Sequence, residues 1–578
     1  MGSSYKLDKD AFSRRLKRLY DMWKEPEHKC EGGFKNMDAL VVPVGNTKEI
    51  SYCKSTALQL WLFGLELADC VMVFAENEVH FLASKKKVEF LSQLAAENSE
   101  EGMPTFKFHQ RDQSDEDKAN FKTLMNIIKG SKEGKVVGMF VKDKDGFSNS
   151  FVKSFKNAMK GQNFDIFDAS TAIAYAFGSK DDQELSKTRK ACKVSCNLFD
   201  KYLKEQIINI IDSKKKVRHS ELSESIEEAM TSDENYFSGC DSNYLEMCYP
   251  PIIQSGGSYA LKFSAKCDKN CLHFGAIVCS LGAIYMNYCS NITRTLLVNP
   301  SDEIKELYEI VLDLQEIVLK HLVPGAKLSD VYTAGVKFIK QRKPDMVDRF
   351  TTNWGFSMGL EFRDSSLVIG PKSTGYAKER MVFNINMGIH NIKNPKGSDK
   401  TYAIFVGDTV VVNETGPATI LTNSKKDIKN VQMQEQSDPT PEATNIFIGP
   451  GAVVNLIRNC LPIAITCQHR KTNNKFNCNK YKEMQFVQVQ NLQEFLIAKT
   501  AQEINAETDI HKIRQRIHLK YIEVEVRPKK PNVSHFFLPM SINKIDSKLL
   551  VCATAYACFF GTSAESIRRE RVAFGREK

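Results

Sequence analysis

Short apolar runs and helical stretches take turns along the first third of the chain. Residues Asp10–Trp23 read as an opening helix. Ala39-Leu-Val-Val-Pro-Val44 reads as a strand, Ala57–Leu67 as a helix, and Val71–Ala75 with Val79–Ala83 as a strand pair across a polar turn. Lys87–Ala96 and Lys118–Ile128 have helical spacing, and Val136–Val141 is a further strand. This alternation predicts an α/β lobe ending near Ala176. The polar run Gly178-Ser-Lys-Asp-Asp182 then opens a long helix through Ile211, which predicts a connector between lobes.

The pattern beyond it is different. Strands at Tyr259–Ser264, Phe274–Cys279, Ala283–Tyr288, Met381–Ile389 and Thr401–Asn413 suit an antiparallel sheet with hairpin turns. Two helices lie between them. Ser301 is a suitable N-cap, Asp302 and Glu303 suit the positive helix end, and Pro324-Gly325 stops the first helix. Ile304, Leu307, Val311, Leu314, Val318 and Leu322 keep one apolar face. Ser329 is expected to cap the second helix, which stops before Pro344. The section is predicted as α+β, with helices covering a curved sheet. Gln434–Glu442 reads as a polar, proline-containing linker.

Composition bounds these elements. The 578 residues carry 80 Lys and Arg against 70 Asp and Glu, a formal net charge of +10. With 42% apolar and 26% charged residues, the chain can build a substantial core, and wholesale disorder or a collagen-like architecture is excluded. The +10 first suggests a polyanionic partner. Residues 434–578, however, hold 21 Lys and Arg against 14 Asp and Glu, so +7 of the +10 lies there and only +3 elsewhere. Met1–Trp23 has no apolar stretch of signal-peptide length, and Lys6 stands where a myristoylation motif wants Ser or Thr. The longest apolar stretch, Leu549–Phe560, falls short of the roughly 20 residues a membrane span needs. Sixteen scattered cysteines are expected to be reduced thiols of a cytosolic or nuclear protein.

Candidate chemistry outside one segment is thin. Cys267, Cys271 and His273 have near-zinc spacing, but a closed zinc site wants four ligands. Cys460, Cys467, His469 and Cys478 are irregularly spaced and read as incidental. Cys192 and Cys196 share a helix face, where packing is the default role. Lys85–Lys87 and Lys214–Lys216 read as solvated charge runs. There is no glycine-rich phosphate loop and no aromatic-and-basic repeat for single-stranded nucleic acid.

Residues 255–422 are the informative segment. Ser280-Leu-Gly282 precedes Tyr288-Cys-Ser-Asn-Ile-Thr-Arg-Thr295. Gly355-Phe-Ser-Met-Gly-Leu-Glu361, Met381-Val-Phe-Asn-Ile-Asn386 and Asp408-Thr-Val-Val-Val-Asn-Glu-Thr-Gly416 follow in order. Together these blocks resemble the pita-bread fold of methionine aminopeptidases, proline-specific aminopeptidases and creatinase. The resemblance implies a site in which two Asp, one His and two Glu hold two divalent metals that activate a water. Block by block, those positions fall at Ser280, Asn291, Phe356, Asn386 and Gly407, and each has lost its ligand or its charge. Asp408 adjoins Gly407, but neighbours on a strand point to opposite faces. Glu361 and Asp364 lie off the ligand positions, and Arg363 adds a cation nearby. The metal-free option fails too, because the creatinase-type catalytic His falls at Phe263. The resemblance therefore implies a pseudo-peptidase that is no enzyme, with no cofactor and no metal. A metal-dependent aminopeptidase with atypical ligands is the alternative.

A narrower resemblance is carried by Lys54-Ser-Thr-Ala-Leu-Gln59, Trp61-Leu-Phe-Gly64 and Ala83-Ser-Lys-Lys-Lys-Val-Glu-Phe-Leu91. Lys216-Val-Arg-His-Ser220, Glu246-Met-Cys-Tyr-Pro-Pro-Ile-Ile-Gln-Ser-Gly-Gly257, Gly355–Phe362, Gly416-Pro-Ala-Thr419 and Lys429-Asn-Val431 extend it. Over about residues 5–433 the chain resembles the large-subunit family of the FACT histone chaperone. The implied architecture is an α/β creatinase-like lobe at 1–177, then an α+β pita-bread lobe at 178–433 that does not catalyse. A linker at 434–445 and an unassigned basic segment at 446–578, of α/β or partly disordered character, follow. The resemblance implies a nuclear, chromosome-bound protein that binds histones and assists nucleosome disassembly and reassembly in transcription, replication and repair. Its implied partners are histones, nucleosomes and an HMG-box-containing subunit. The family usually continues into an acidic linker, a dimerisation domain, pleckstrin-like domains and an acidic tail, none of which aligns with 434–578. Direct DNA binding by that basic segment is a further, lesser expectation.

Overall fold

The apolar runs of the first third assemble into one mixed sheet with helices on both faces. The computed structural model describes residues 7–24, 37–46, 52–94, 103–143, 149–232, 234–393, 401–434, 523–526, 534–542 and 545–551. In chain order the first lobe is α1 (Lys9–Lys24), β1 (Ala39–Val44), α2 (Lys54–Phe63), β2 (Cys70–Phe74), β3 (Glu78–Ala83) and α3 (Lys85–Leu91). It continues with β4 (Thr105–Gln110), α4 (Lys118–Gly130), β5 (Val136–Met139), α5 (Ser150–Lys160), β6 (Asp165–Asp168) and α6 (Ser170–Gly178). The strands lie in the order β4-β3-β2-β1-β5-β6. The central trio is antiparallel and the outer pairs are parallel. Leu40, Val42, Met72 and Phe74 pack on one side with Phe12, Leu16, Trp61 and Leu62 of α1 and α2. Ala39, Val41, Val71 and Val73 pack on the other with Phe121, Leu124 and Phe155 of α4 and α5. Burial on both faces is why these strands read as unbroken apolar runs.

The connector is one continuous helical rod. Asp181 and Glu184 form a reciprocal capping box at its start. It runs as α7 (Asp182–Asn197), a π segment at Leu198–Leu203, and α8 (Lys204–Ser213), followed by α9 (His219–Ser232). The second lobe then supplies β7 (Leu245–Met247), β8 (Ile252–Gln254), β9 (Ala276–Leu281), β10 (Ala283–Tyr285), β11 (Tyr288–Cys289) and β12 (Ile292–Val298). After α10 (Asp302–His321) and α11 (Leu328–Arg342) come β13 (Gly355–Ser357), β14 (Val368–Ile369), β15 (Val382–Lys393) and β16 (Thr401–Val411). Short β17 (Thr419–Ile420), α12 (Ile428–Val431) and β18 (Gln432–Met433) close the lobe. Its main path is β14-β13-β15-β16-β12-β9-β8, antiparallel at every step. The predicted stripe of α10, Ile304 through Leu322, enters the large core beneath this sheet. Ser301 accepts a hydrogen bond from the Ile304 amide at 3.4 Å, as an N-cap should.

Two expectations are corrected. Tyr259–Ser264 is not a strand. Gly256 and Gly257 have φ of +78° and +89°, and the Gln254 side-chain amide clasps both backbone groups of Ala260, so the segment turns as a loop. Ser329 is not the cap of α11, which starts two residues earlier, at Leu328, with Lys327 extended at its N-cap. Backbone pairing of Lys327 with Tyr376, and of the Leu328 amide with Gly375, fixes that start.

Residues Met1–Ser437 form one compact unit and Asp438–Lys578 another. In the second, an antiparallel ribbon joins β19 (Glu523–Val526), β20 (Ser534–Ile542) and β21 (Ile545–Val551). Most of the predicted linker at 434–442 and the Cys460, Cys467, His469 and Cys478 group lie outside the described residues.

Candidate functional site

Cross-strand register sets the candidate positions in line. Ser280 on β9 stands opposite Thr293 on β12, Thr293 opposite Gly407 on β16, and Gly407 opposite Asn386 on β15. Two residues along, Asn384 stands between Thr409 of β16 and Phe356 of β13. Residues two apart share a sheet face, so Asn384 and Asn386 face the same side. The Ser280 and Thr293 hydroxyls are 2.9 Å apart. Asn291 donates through Nδ2 to Thr293 Oγ1 at 3.3 Å and to Asn384 Oδ1 at 3.2 Å, and the Tyr249 hydroxyl donates to Asn291 Oδ1. The Asn291 amide donates to Thr409 Oγ1 at 2.8 Å, and that hydroxyl donates back to the Asn291 carbonyl at 3.0 Å. Asn384 Nδ2 and Asn386 Oδ1 are buried without a partner among the described residues.

Aromatic rings close the other side. Phe263 comes in from the loop rather than from a strand. It meets Phe356 edge-on at 5.8 Å and Phe362 at 5.3 Å between centroids. Tyr249 packs on Phe263 and Phe362, and the Arg363 guanidinium lies 5.1 Å from the Phe356 ring centre. All five ligand positions implied by the resemblance, with Phe263, thus belong to one neighbourhood of hydroxyl, amide and aromatic groups. Among the described residues no group of three or more His, Cys, Asp or Glu is placed to hold a metal ion.

Asp408 points the other way, as strand alternation requires. Its carboxylate takes Arg294 at 2.7 Å, Lys426 at 2.7 Å, Gln315 of α10 at 3.1 Å and the Thr422 hydroxyl at 2.7 Å. Burial works against the charge, but Arg294 and Lys426 more than offset it and hold the carboxyl below its ordinary range.

Glu361 and Asp364 are engaged elsewhere, in a buried ion cluster joining the two lobes. Lys54 at the start of α2 donates to Glu361 and, at 2.7 Å, to Asp364. Lys180 lies alongside, donating to the carbonyls of Phe177 and Gly178. A Cβ on Gly359 would come within 2.9 Å of the end of the Lys180 side chain, which would have to shift to admit it. Burial pushes the Glu361 carboxyl up to about 7 and the Lys180 ammonium down to about 8.

Neither of the weaker candidates gathers a ligand set. The Cys267 thiol donates to the Pro251 carbonyl at 3.3 Å, and Cys271 is exposed on an isolated bridge with Arg218. Cys192 is fully buried, and burial raises its thiol well above the ordinary value. A buried His219 spans Asp268 at 2.5 Å and the Ser255 hydroxyl at 2.7 Å. Ser255 also accepts the His273 amide and is only 4% exposed, so this trio pins a loop to the start of α9. Sequence reasoning missed Asn384, Thr293 and Tyr249 as lining groups. The two-residue spacing from Asn384 to Asn386 was the available signal.

Comparison with known proteins gives a consistent pattern. Residues 7–176 match the family model described as the FACT complex subunit SPT16 N-terminal lobe domain, and residues 186–414 match metallopeptidase family M24. The chain is 36% identical over 426 residues to FACT complex subunit spt-16 of Caenorhabditis elegans, covering 73% of this chain and 40% of that protein. It is 33% identical over 433 residues to FACT complex subunit SPT16 of Dictyostelium discoideum, covering 74% and 40%. The chain thus spans about 40% of the length of these curated relatives. Among solved structures, the N-terminal domain of FACT complex subunit SPT16 from chickpea superposes with a TM-score of 0.69 at 29% identity, covering 74% of this chain and all of that one. A prolidase of Pyrococcus horikoshii OT3, at 18% identity and a TM-score of 0.52 over 72% of this chain and 99% of that one, shares the fold.

Proposed function

Because the chain, across the 426 residues it aligns with the nematode protein, belongs to the family of FACT complex subunit SPT16, we propose that it is a histone-binding, non-catalytic subunit of such a complex. It assists nucleosome disassembly and reassembly during transcription, replication and repair, in the nucleus, alongside an HMG-box-containing subunit. One observation carries the loss of catalysis. The face that the resemblance equates with the two-metal centre of M24 peptidases offers Ser280, Asn291, Phe356, Asn386 and Gly407, with Phe263 edge-on to Phe356. Two divalent ions need hard anionic oxygens to bridge them, and neutral amides, hydroxyls and a phenyl ring supply none. What such a lobe keeps is a wall shaped to accept extended polypeptide.

Calorimetric titration of the full chain with core histones, beside a basic protein of matched charge, tests the reading. Tighter binding of histones is expected, and equal affinity for both sinks specific recognition. Hydrolysis of proline-containing peptides on addition of manganese or cobalt, with stoichiometric metal uptake, would overturn the non-catalytic part. Salt-dependent DNA binding by the chain, if abolished on removal of 434–578, would assign nucleic-acid contact to the segment that holds +7 of the net charge.

A further inference from the structure

The relict centre contains two loose ends. Asn384 Nδ2, a donor, and Asn386 Oδ1, an acceptor, are buried with no partner among the described residues, while their residues are 0% and 5% exposed. Leaving one such group unpaired costs about 1–3 kcal/mol, so a pair of them on one face of one strand calls for a ligand. Both lie two residues apart on β15 and look toward the same side. The neighbouring Ser280, Thr293 and Asn291 side chains are already engaged: Ser280 with Thr293, Asn291 with Tyr249, Thr293 and Asn384.

We propose that this face binds a carboxamide, one peptide unit or side-chain amide of a bound polypeptide, with Asn384 donating to its carbonyl and Asn386 accepting its N–H. This rests on the reading that the lobe engages polypeptide without cleaving it. A donor and an acceptor side by side match an amide, which presents both. A carboxylate has no N–H for Asn386, and an ammonium has no acceptor for Asn384. Asp408 is turned to the opposite side, and the charge nearby is the exposed Arg363 guanidinium, 5.1 Å from the Phe356 ring centre. Gly407 offers no room of its own, since a Cβ there would already crowd those of Thr293 and Asn386 at 3.2 and 3.3 Å. Access is at Asn386 and Ser280, which keep 5% and 3% of their surface exposed. The lid is Phe263, carried on the 259–265 loop and only partly buried, whereas Phe356 is fixed within β13. The arrangement holds an amide where a two-metal peptidase would hydrolyse one.

The test uses the full chain labelled with ¹⁵N-asparagine and three small probes of similar size: N-methylacetamide, acetate and methylammonium. Asn384→Leu and Asn386→Leu identify the two side-chain resonances. N-methylacetamide is expected to shift them saturably in roughly the millimolar range, with at least about tenfold weaker effects from the charged probes. No saturable shift, or equal shifts with acetate, overturns the site. A histone-tail peptide in a parallel titration separates the two readings. Probe binding without histone binding removes the histone assignment and keeps the amide site; histone binding without probe binding does the reverse. If both bind, Asn386→Leu is expected to weaken the peptide about tenfold while Asn386→Gln retains more of the affinity. Unchanged affinity in Asn386→Leu would place the peptide elsewhere and overturn the proposal.

Discussion

Gly407 and Asp408, adjacent on β16, look to opposite sides of one sheet, and the two sides treat buried polarity in opposite ways. Toward α10 the sheet buries an ionic network in which Arg294, Lys426, Gln315 and Thr422 converge on one carboxylate, with Arg294 Nε itself unpaired among the described residues. Toward the loop it buries only neutral groups and leaves two amide atoms unpaired. A buried charge persists only where a counter-charge is in place, as Asp408 is for Arg294, whereas a buried neutral amide tolerates an unmade bond at modest cost. The ionic side is built as architecture. The neutral side keeps the freedom that binding needs.

Substitutions can break this contrast, beginning with the largest effect. Asp408→Ala strands Arg294 in the interior, and chemical denaturation should register a loss of about 3–5 kcal/mol. A loss under about 1 kcal/mol would mean that water repairs the network and that the sides differ less than described. Gly407→Glu places a carboxylate on the neutral face, against Thr293 and Asn386. It should cost about 2 kcal/mol or more from crowding and desolvation, and a manganese titration should still show no saturable uptake. Uptake would show that one restored carboxylate reopens metal chemistry.

The inter-lobe cluster gives the next effect in size. The folded pKa of Glu361, about 7, lies above its ordinary 4.5, so this group favours folding fully below pH 4.5 and loses that contribution as pH rises to 7. The unfolding free energy of the wild type relative to Glu361→Gln, from chemical denaturation at each pH, should therefore fall across that window by on the order of 2 kcal/mol. A constant difference would place Glu361 in a more hydrated setting. Smallest of all, Asn384→Leu removes the unpaired Nδ2 together with the Oδ1 that takes Asn291, so it should change stability by no more than about 1 kcal/mol. Destabilisation on the scale of Asp408→Ala would show that the neutral face is architecture too.

Much of this was legible in the sequence. The stripe of α10 and its Ser301 cap are local signals, and the block order around Ser280, Asn291, Phe356, Asn386 and Gly407 gave the neighbourhood before any geometry. Tyr259, Leu261 and Phe263 misled because apolar residues at every second position imitate a strand, while the turn is enforced from outside by Gln254. β4 was invisible because it edges the sheet with no fully buried residue. The pairing of Lys54 with Glu361 and Asp364 joins distant parts of the chain and leaves no periodic trace. Asn384 acquired meaning only once the face shared with Asn386 was known.

The π segment in the connector has a consequence of its own. Ser195, Phe199, Leu203, Ile207 and Ile211 make contacts inward at a repeat of four, and a regular helix of 3.6 residues per turn would carry such a series steadily around its axis. The wider turns at Leu198–Leu203 absorb that drift. The rod behaves as a phase corrector, a surplus residue tucked in so that both ends keep time with the same core. Forcing all six residues of Leu198–Leu203 into a regular helix would turn α8, with Ile207 and Ile211, by about 100° out of step, whereas deleting one residue there should return a regular helix with α8 still in step.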